Sequence, residues 1–230
     1  MVRRTVAVLS CMSVALSWSA AAPAMEDRPL VDLTRLPLRA ASIGDFVPQS
    51  WKVEEQIDGD LDRDGTRDVV LKLIEDLPDN DIEDYPADRR RALLVLLRRS
   101  GAFVRAGTNN QLLVCTGCGG AFYGVIETPV DVSIVKGVLV VHQEWGSRWV
   151  TEETYRFRYD PAAGRFVLIG QDVVVHDRAI GTTVKESTNL ITGDHIKEHI
   201  HYDQQSDRDR TVSEKHDKVS RKTLFLEDVK

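Results

Sequence analysis

Val69-Val70-Leu71-Lys72-Leu73-Ile74, a run rich in β-formers, leaves directly from an acidic stretch, Asp60-Leu61-Asp62-Arg63-Asp64-Gly65-Thr66-Arg67-Asp68. That junction constrains the fold more than any other feature of the chain. A short apolar run bounded by turn residues reads as a buried strand. Ahead of the acidic stretch, Trp51, Val53, Glu55 and Ile57 alternate at the period of two and predict an entering strand with these four residues on one face. The acidic stretch is therefore expected as a loop between strands, not as the hinge of a helix pair.

The rest of the chain repeats this grammar. Ala92–Leu97 and Gly101–Arg105 flank a Ser-Gly turn, and further strands are expected at Leu112–Val114, Val130–Val135 and Val138–Glu144. Lys136-Gly137 supplies a hairpin turn between the last two. Tyr155, Phe157 and Tyr159 alternate with Arg156 and Arg158, giving one aromatic and one basic face. Asp160 to Gly164 turns the chain, and Phe166–Ile169 returns. Shorter strands are read at Val173–Val175, Thr182–Lys185 and Ile196–Tyr202, and a terminal one at Thr223–Leu226. Glu75 to Arg90 carries Glu75, Asp76, Asp79, Asp81, Glu83, Asp84 and Asp88 and reads as an exposed loop. Asp203 to Lys222 is too polar to predict structure and reads as a mobile or exposed segment.

Within the acidic loop, oxygen donors recur at every second residue, the spacing that suits a hard cation taking 6–8 oxygens. With Asp60 as position 1, Asp62 and Asp64 occupy positions 3 and 5, and Gly65 stands at 6, where the backbone turns sharply. Thr66 at 7 offers its carbonyl, and Asp68 at 9 binds directly or through water. Four clustered carboxylates repel one another without a cation, so binding is expected to order the loop. Position 12 is Leu71, so the bidentate glutamate of an EF-hand is absent. The same spacing also suits an acidic Asp-Gly turn without metal.

Gly59 to Leu71, with a strand leaving the loop, resembles the calcium loops of FG-GAP and VCBS-type repeats of integrin-like propellers and exported bacterial proteins. The resemblance covers residues 51–105 in one copy, and a propeller needs several blades. It implies bound Ca2+ on Asp60, Asp62, Asp64, Thr66 and Asp68. A looser resemblance, to bacterial periplasmic proteins of unknown function with one such loop before a β-rich half, rests on Cys115–Gly120, Tyr155–Tyr159, Phe166–Gly170 and Ser187–Gly193. It brings no activity with it.

The first residues read as an export signal: Arg3 and Arg4, a mostly apolar Thr5–Trp18, then Ala22-Pro23-Ala24 as an A-x-A site with cleavage after Ala24. The apolar run is too short to span a bilayer, which takes roughly 20 residues. Val8-Leu9-Ser10-Cys11 offers a lesser alternative, a lipid anchor on Cys11. Cleavage removes two arginines and no acid, so 28 Lys and Arg face 36 Asp and Glu in the mature chain, a net charge of −8. That balance argues against nucleic-acid binding and against a polybasic membrane patch.

Cys115 and Cys118 remain in the mature chain, and an exported pair reads as a disulfide. Their C-x-x-C spacing also fits a redox pair, but that chemistry depends on a helix N-terminus and Gly119-Gly120 follows instead. His195-Ile196-Lys197-Glu198-His199 matches a short zinc-protease pattern that requires a helix. Alternation of Ile196, Ile200 and Tyr202 argues for a strand, on which His195, His199 and His201 share a face and form at most an adventitious metal site. Trp145 and Trp149 are candidates for stacking on sugar or peptide, or for covering a core edge. Arg156 and Arg158 suit an anion or a solvated hairpin face.

The chain is thus expected to be mainly β, with many short antiparallel strands, sandwich-like or with a partial propeller blade in its N-terminal half, and little helix outside the leader. Its expected organisation is a signal peptide at 1–24, an irregular lead-in at 25–50, and a β-rich domain at 51–230 divided into 51–105 and 106–230. The functional expectation is an exported, periplasmic or secreted, calcium-binding protein with a binding or envelope-structural role and an envelope or extracellular partner. No catalytic residue is assigned. The alternatives are a secreted hydrolase or His-dependent metalloenzyme, and a redox protein using the cysteine pair.

Overall fold

A computed structural model describes residues 28–77, 88–124, 126–203 and 205–230. Two antiparallel sheets account for the architecture. The first contains β1 (Arg39–Ala40), β2 (Trp51–Gly59), β3 (Asp68–Glu75), β4 (Arg91–Arg99) and β5 (Ala102–Asn109), in the order β1-β5-β4-β3-β2. A single helical turn, α1 (Gly120–Tyr123), precedes the second sheet. That sheet is a plain meander of β6 (Val130–Val135), β7 (Val138–Gly146), β8 (Trp149–Asp160), β9 (Arg165–Asp177), β10 (Thr182–Asn189), β11 (Asp194–Asp203) and β12 (Arg208–Lys218).

Every residue of β3 is buried, and so are the first seven of β4. An antiparallel strand reads as a continuous apolar run only when both its faces are covered. Val70, Leu93, Val95 and Leu97 face the second sheet, where they pack with Val132, Leu139, Val141, Tyr155, Phe157 and Phe166. Val69, Leu71, Leu73, Leu94 and Leu96 face the other way, onto Leu33 and Phe46. The segment read as a lead-in is irregular, built of two 3-10 turns and β1, yet it is the third layer of the fold. Asp32 caps the first turn through Thr34 N–H, and Ser42 and Asp45 form a capping box on the second.

A bulge in β2 between Val53 and Glu55 breaks the expected alternation. Trp51 packs with the outer cluster and Ile57 with the inner one, so the four residues do not share a face. The adjacent Glu54 and Glu55 instead both meet buried cations. Arg91 donates to Glu54 and to the carbonyls of Val114 and Thr128, while Lys72 pairs with Glu55 at 2.8 Å and donates to Val130 O at 2.9 Å. The one charged residue in the apolar run thus tethers the two sheets.

Several other expectations are corrected. Leu112–Val114 is not a strand. Leu112 and Leu113 are buried, and the backbone groups there bond to the side chains of Asn109, Gln143 and Arg91. The terminal strand at Thr223–Leu226 reduces to one bridge, Val167 with Phe225, before a 3-10 turn seats Leu226 in the core. Val173–Val175 belongs to the thirteen-residue β9. Glu75, placed in an exposed loop, ends β3 buried against Arg28, and most of that acidic stretch lies outside the described residues.

The largest correction is Arg208–Lys218, which forms edge strand β12 despite its charge. It pairs with β11 and presents nothing apolar to a core, so its sequence carries no pattern to read. Charges and the irregularity between His199 and Ile200 are devices that blunt an exposed sheet edge.

The fold makes one stability prediction. Phe46 is completely buried against β3 and β4. Phe46→Ala is expected to cost about 3–5 kcal/mol in urea unfolding; a loss below about 1 kcal/mol would contradict a structural role for residues 28–50.

Candidate metal centre

The acidic loop joins β2 to β3 and is fixed at both ends by burial. Leu61 is an inner-core residue at 1% exposure, and Asp68 is fully buried at the start of β3. The Asp68 carboxylate accepts from Leu61 N–H and from Arg98 N–H, each at 2.9 Å. It therefore ties the front of the loop to the far end of β4. Burial raises the Asp68 pKa above the ordinary carboxylate value despite these two hydrogen bonds, and the Asp62 charge pushes the same way.

Between these anchors the loop is a series of short side-chain-to-backbone turns. Asp62 Oδ1 accepts from Asp64 N–H at 3.1 Å, Asp64 Oδ1 from Thr66 N–H at 2.7 Å, and Asp60 Oδ2 from Gly65 N–H at 3.0 Å. Gly65 has φ +86°, the left-handed conformation that favours glycine. Arg63 donates to Lys136 O at 3.0 Å and fastens the loop to the β6–β7 hairpin.

One oxygen each from Asp60, Asp62 and Asp68 lies within 4.8 Å of the others. Oxygens bound to one calcium at 2.3–2.6 Å can be no more than about 5 Å apart, so the three fit a single ion. Asp60 Oδ1 is buried and has no hydrogen-bond partner. A buried carboxylate oxygen without a donor is costly unless a cation faces it. The donor set consists of oxygens alone, which suits a hard cation.

Asp64 and Thr66 stand apart from this trio. Asp64 turns its second oxygen to Arg99 Nη1 at 3.0 Å, and the hydrogen bond from Thr66 N–H is the main cause of its lowered pKa. Arg99, at the end of β4, also pairs with Asp62. Burial works against the Arg99 charge, but its bond to Asp62 and the fields of Asp62, Asp64 and Asp68 outweigh this and raise its pKa. Sequence reasoning missed Arg99. Its only signal was a basic pair, Arg98-Arg99, closing an apolar strand that pairs with β3, and 31 positions separate Arg99 from Asp68.

The other candidate residues are not brought together. His195, His199 and His201 lie on β11, where pairing with β10 sets them opposite Thr188, Val184 and Thr182. Among the described residues they join no metal-like cluster. Cys115 and Cys118 are paired as a disulfide, Cα–Cα 5.1 Å, with the single turn α1 following. Trp149 does not cover a core edge: it is 56% exposed, its indole donates to Asp177, and the Arg148 guanidinium lies over the ring. Asp177 also takes both arms of Arg148, whose hydrogen bond holds its carboxyl below the usual range. Arg156 pairs with Asp172 on the solvated face of β8.

No known family, curated protein or solved structure matches the chain. The fold and the loop themselves therefore define the class: a layered antiparallel β protein with a three-carboxylate centre at a strand-to-strand turn. No helix among the described residues is long and apolar enough to cross a membrane.

The anchoring role of Asp68 is testable without metal. Asp68→Ala leaves the Leu61 and Arg98 amides without their acceptor, and is expected to cost about 2–4 kcal/mol in unfolding in the presence of a chelator. Unchanged stability would show that the loop is not held in this way.

Proposed function

We propose that this is an exported calcium-binding β protein with a binding or envelope-structural role, whose ion stiffens the β2–β3 turn. The observation that carries the reading is the convergence of Asp60, Asp62 and Asp68 around a buried Asp60 Oδ1 that nothing in the loop satisfies. Asp60, Asp62 and Asp68 would hold the ion, with Asp64 and the Thr66 carbonyl as further donors of the expected set. Ca2+ supplies no redox chemistry here; it neutralises clustered negative charge and orders the ligands it joins. The strands β2 and β3 that flank the loop make the effect local, since among the described residues no helix pair adjoins it to open as in a calcium sensor.

The export signal at 1–24 and the paired cysteines fit an oxidising compartment outside the cytoplasm. In the mature chain an excess of acidic groups favours neither nucleic acid nor an anionic membrane as partner.

Calorimetric titration of the metal-stripped chain with CaCl2 tests the reading. One site is expected, lost in Asp60→Ala and weakened at least tenfold in Asp62→Ala. Binding that persists unchanged in both variants would remove the loop as the site.

A further inference from the structure

We propose that Arg99 is the resident counter-ion of the acidic loop, and that a divalent cation binds by displacing its guanidinium from Asp62 and Asp64. The inference rests on the calcium reading above and adds what sets the affinity and the state of the loop before metal arrives.

Three observations lead to it. First, the guanidinium and the ion claim the same group. Asp62 belongs to the trio that converges on the centre, and it is also the carboxylate that Arg99 Nη2 grips, on a side chain only 4% exposed. A guanidinium and a divalent cation sharing one buried carboxylate repel each other strongly, because little water lies between them to screen the pair.

Second, Arg99 compensates only one side of the loop. Its two arms go to Asp62 and Asp64, while Asp60 Oδ1 stays buried and unpartnered. One positive charge faces the four carboxylates of Asp60, Asp62, Asp64 and Asp68. The arrangement keeps the metal-free loop folded yet leaves the inner oxygen available to an incoming ion.

Third, Arg99 has somewhere to go. Its side chain is 34% exposed and starts at the last residue of β4, beside the Ser100-Gly101 turn. The neighbouring Arg98 is committed elsewhere: its amide holds Asp68 and its guanidinium lies 4.3 Å from the Phe103 ring. Release of Arg99 gives up a bond from its own Nη1 to Arg98 O at 3.0 Å, but leaves the Arg98 N–H on Asp68 in place. Binding against a built-in cation lowers the affinity relative to the same carboxylates without Arg99.

Calcium titrations of the metal-stripped wild type, Arg99→Met and Arg99→Lys, paired with melting curves in chelator and in saturating calcium, test the proposal. Arg99→Met is expected to bind about tenfold tighter than wild type. It should melt lower than wild type in chelator and recover most of that difference in calcium. Arg99→Lys keeps the charge and should stay within about threefold of wild type. Arg99→Gln, a milder change, should move in the same direction as Arg99→Met if the latter folds poorly without metal. Calcium binding by wild type with equal or weaker binding in Arg99→Met and Arg99→Gln overturns the displacement while sparing the calcium site. No binding by wild type or any variant overturns the calcium reading, and this proposal with it, leaving Arg99 as the loop's permanent partner.

Discussion

Asp68 opens the most deeply buried strand of the molecule and uses its carboxylate on two backbone amides, Leu61 within the loop and Arg98 at the end of β4. Those bonds convert a flexible acidic turn into a part of the sheet. Leu61 then points into the core, the chain reverses at Gly65, and Asp60 and Asp62 are carried back toward Asp68. The sheet can bear this because β3 and β4 are covered on both faces, by the second sheet on one side and by residues around Leu33 and Phe46 on the other. A rigid edge is what a precise ligand set requires.

The second sheet has a different character along its length. β6 to β9 contribute Val132, Leu139, Tyr155, Phe157 and Phe166 to the inner core, whereas β10 to β12 extend past the first sheet as a single polar layer. Such a layer gains little from apolar burial and depends on ladder hydrogen bonds and cross-strand pairs such as Lys197 with Glu186. The converging carboxylates lie instead at the β2–β3 turn, where low exposure makes uncompensated charge consequential. On the polar layer the histidines of β11 stand opposite Thr188, Val184 and Thr182, which bring them no carboxylate or thiol ligand, and among the described residues they assemble no site.

The legible parts of the fold are those with an apolar period. The β character, the strand at 69–74, the Lys136-Gly137 turn and the paired β6 and β7 follow from residue pattern and local turn chemistry. What the pattern hides has identifiable causes. The bulge at Glu54 inverts the faces of β2, and two acidic neighbours with buried cationic partners explain it only after the fold is known. The extension at Leu112–Val114 satisfies its backbone through side chains, so it looks like a strand without being one. β12 is held by backbone pairing and an exposed ion pair, Lys218 with Asp194, and neither leaves a periodic pattern in the sequence. In the loop, the regular spacing of aspartates is visible, but Arg99 comes from a neighbouring strand and is placed there only by the register of β3 with β4.

The centre is thus a balance of charge on a stiff frame: four carboxylates, one guanidinium, and a buried Asp60 oxygen that no hydrogen bond satisfies. Long-wavelength anomalous diffraction from crystals grown in calcium measures this most directly. One strong peak is expected between the carboxylates of Asp60, Asp62 and Asp68, with the Arg99 guanidinium withdrawn from Asp62. A map without a peak there at saturating calcium, with Arg99 still seated on Asp62 and Asp64, would contradict this balance.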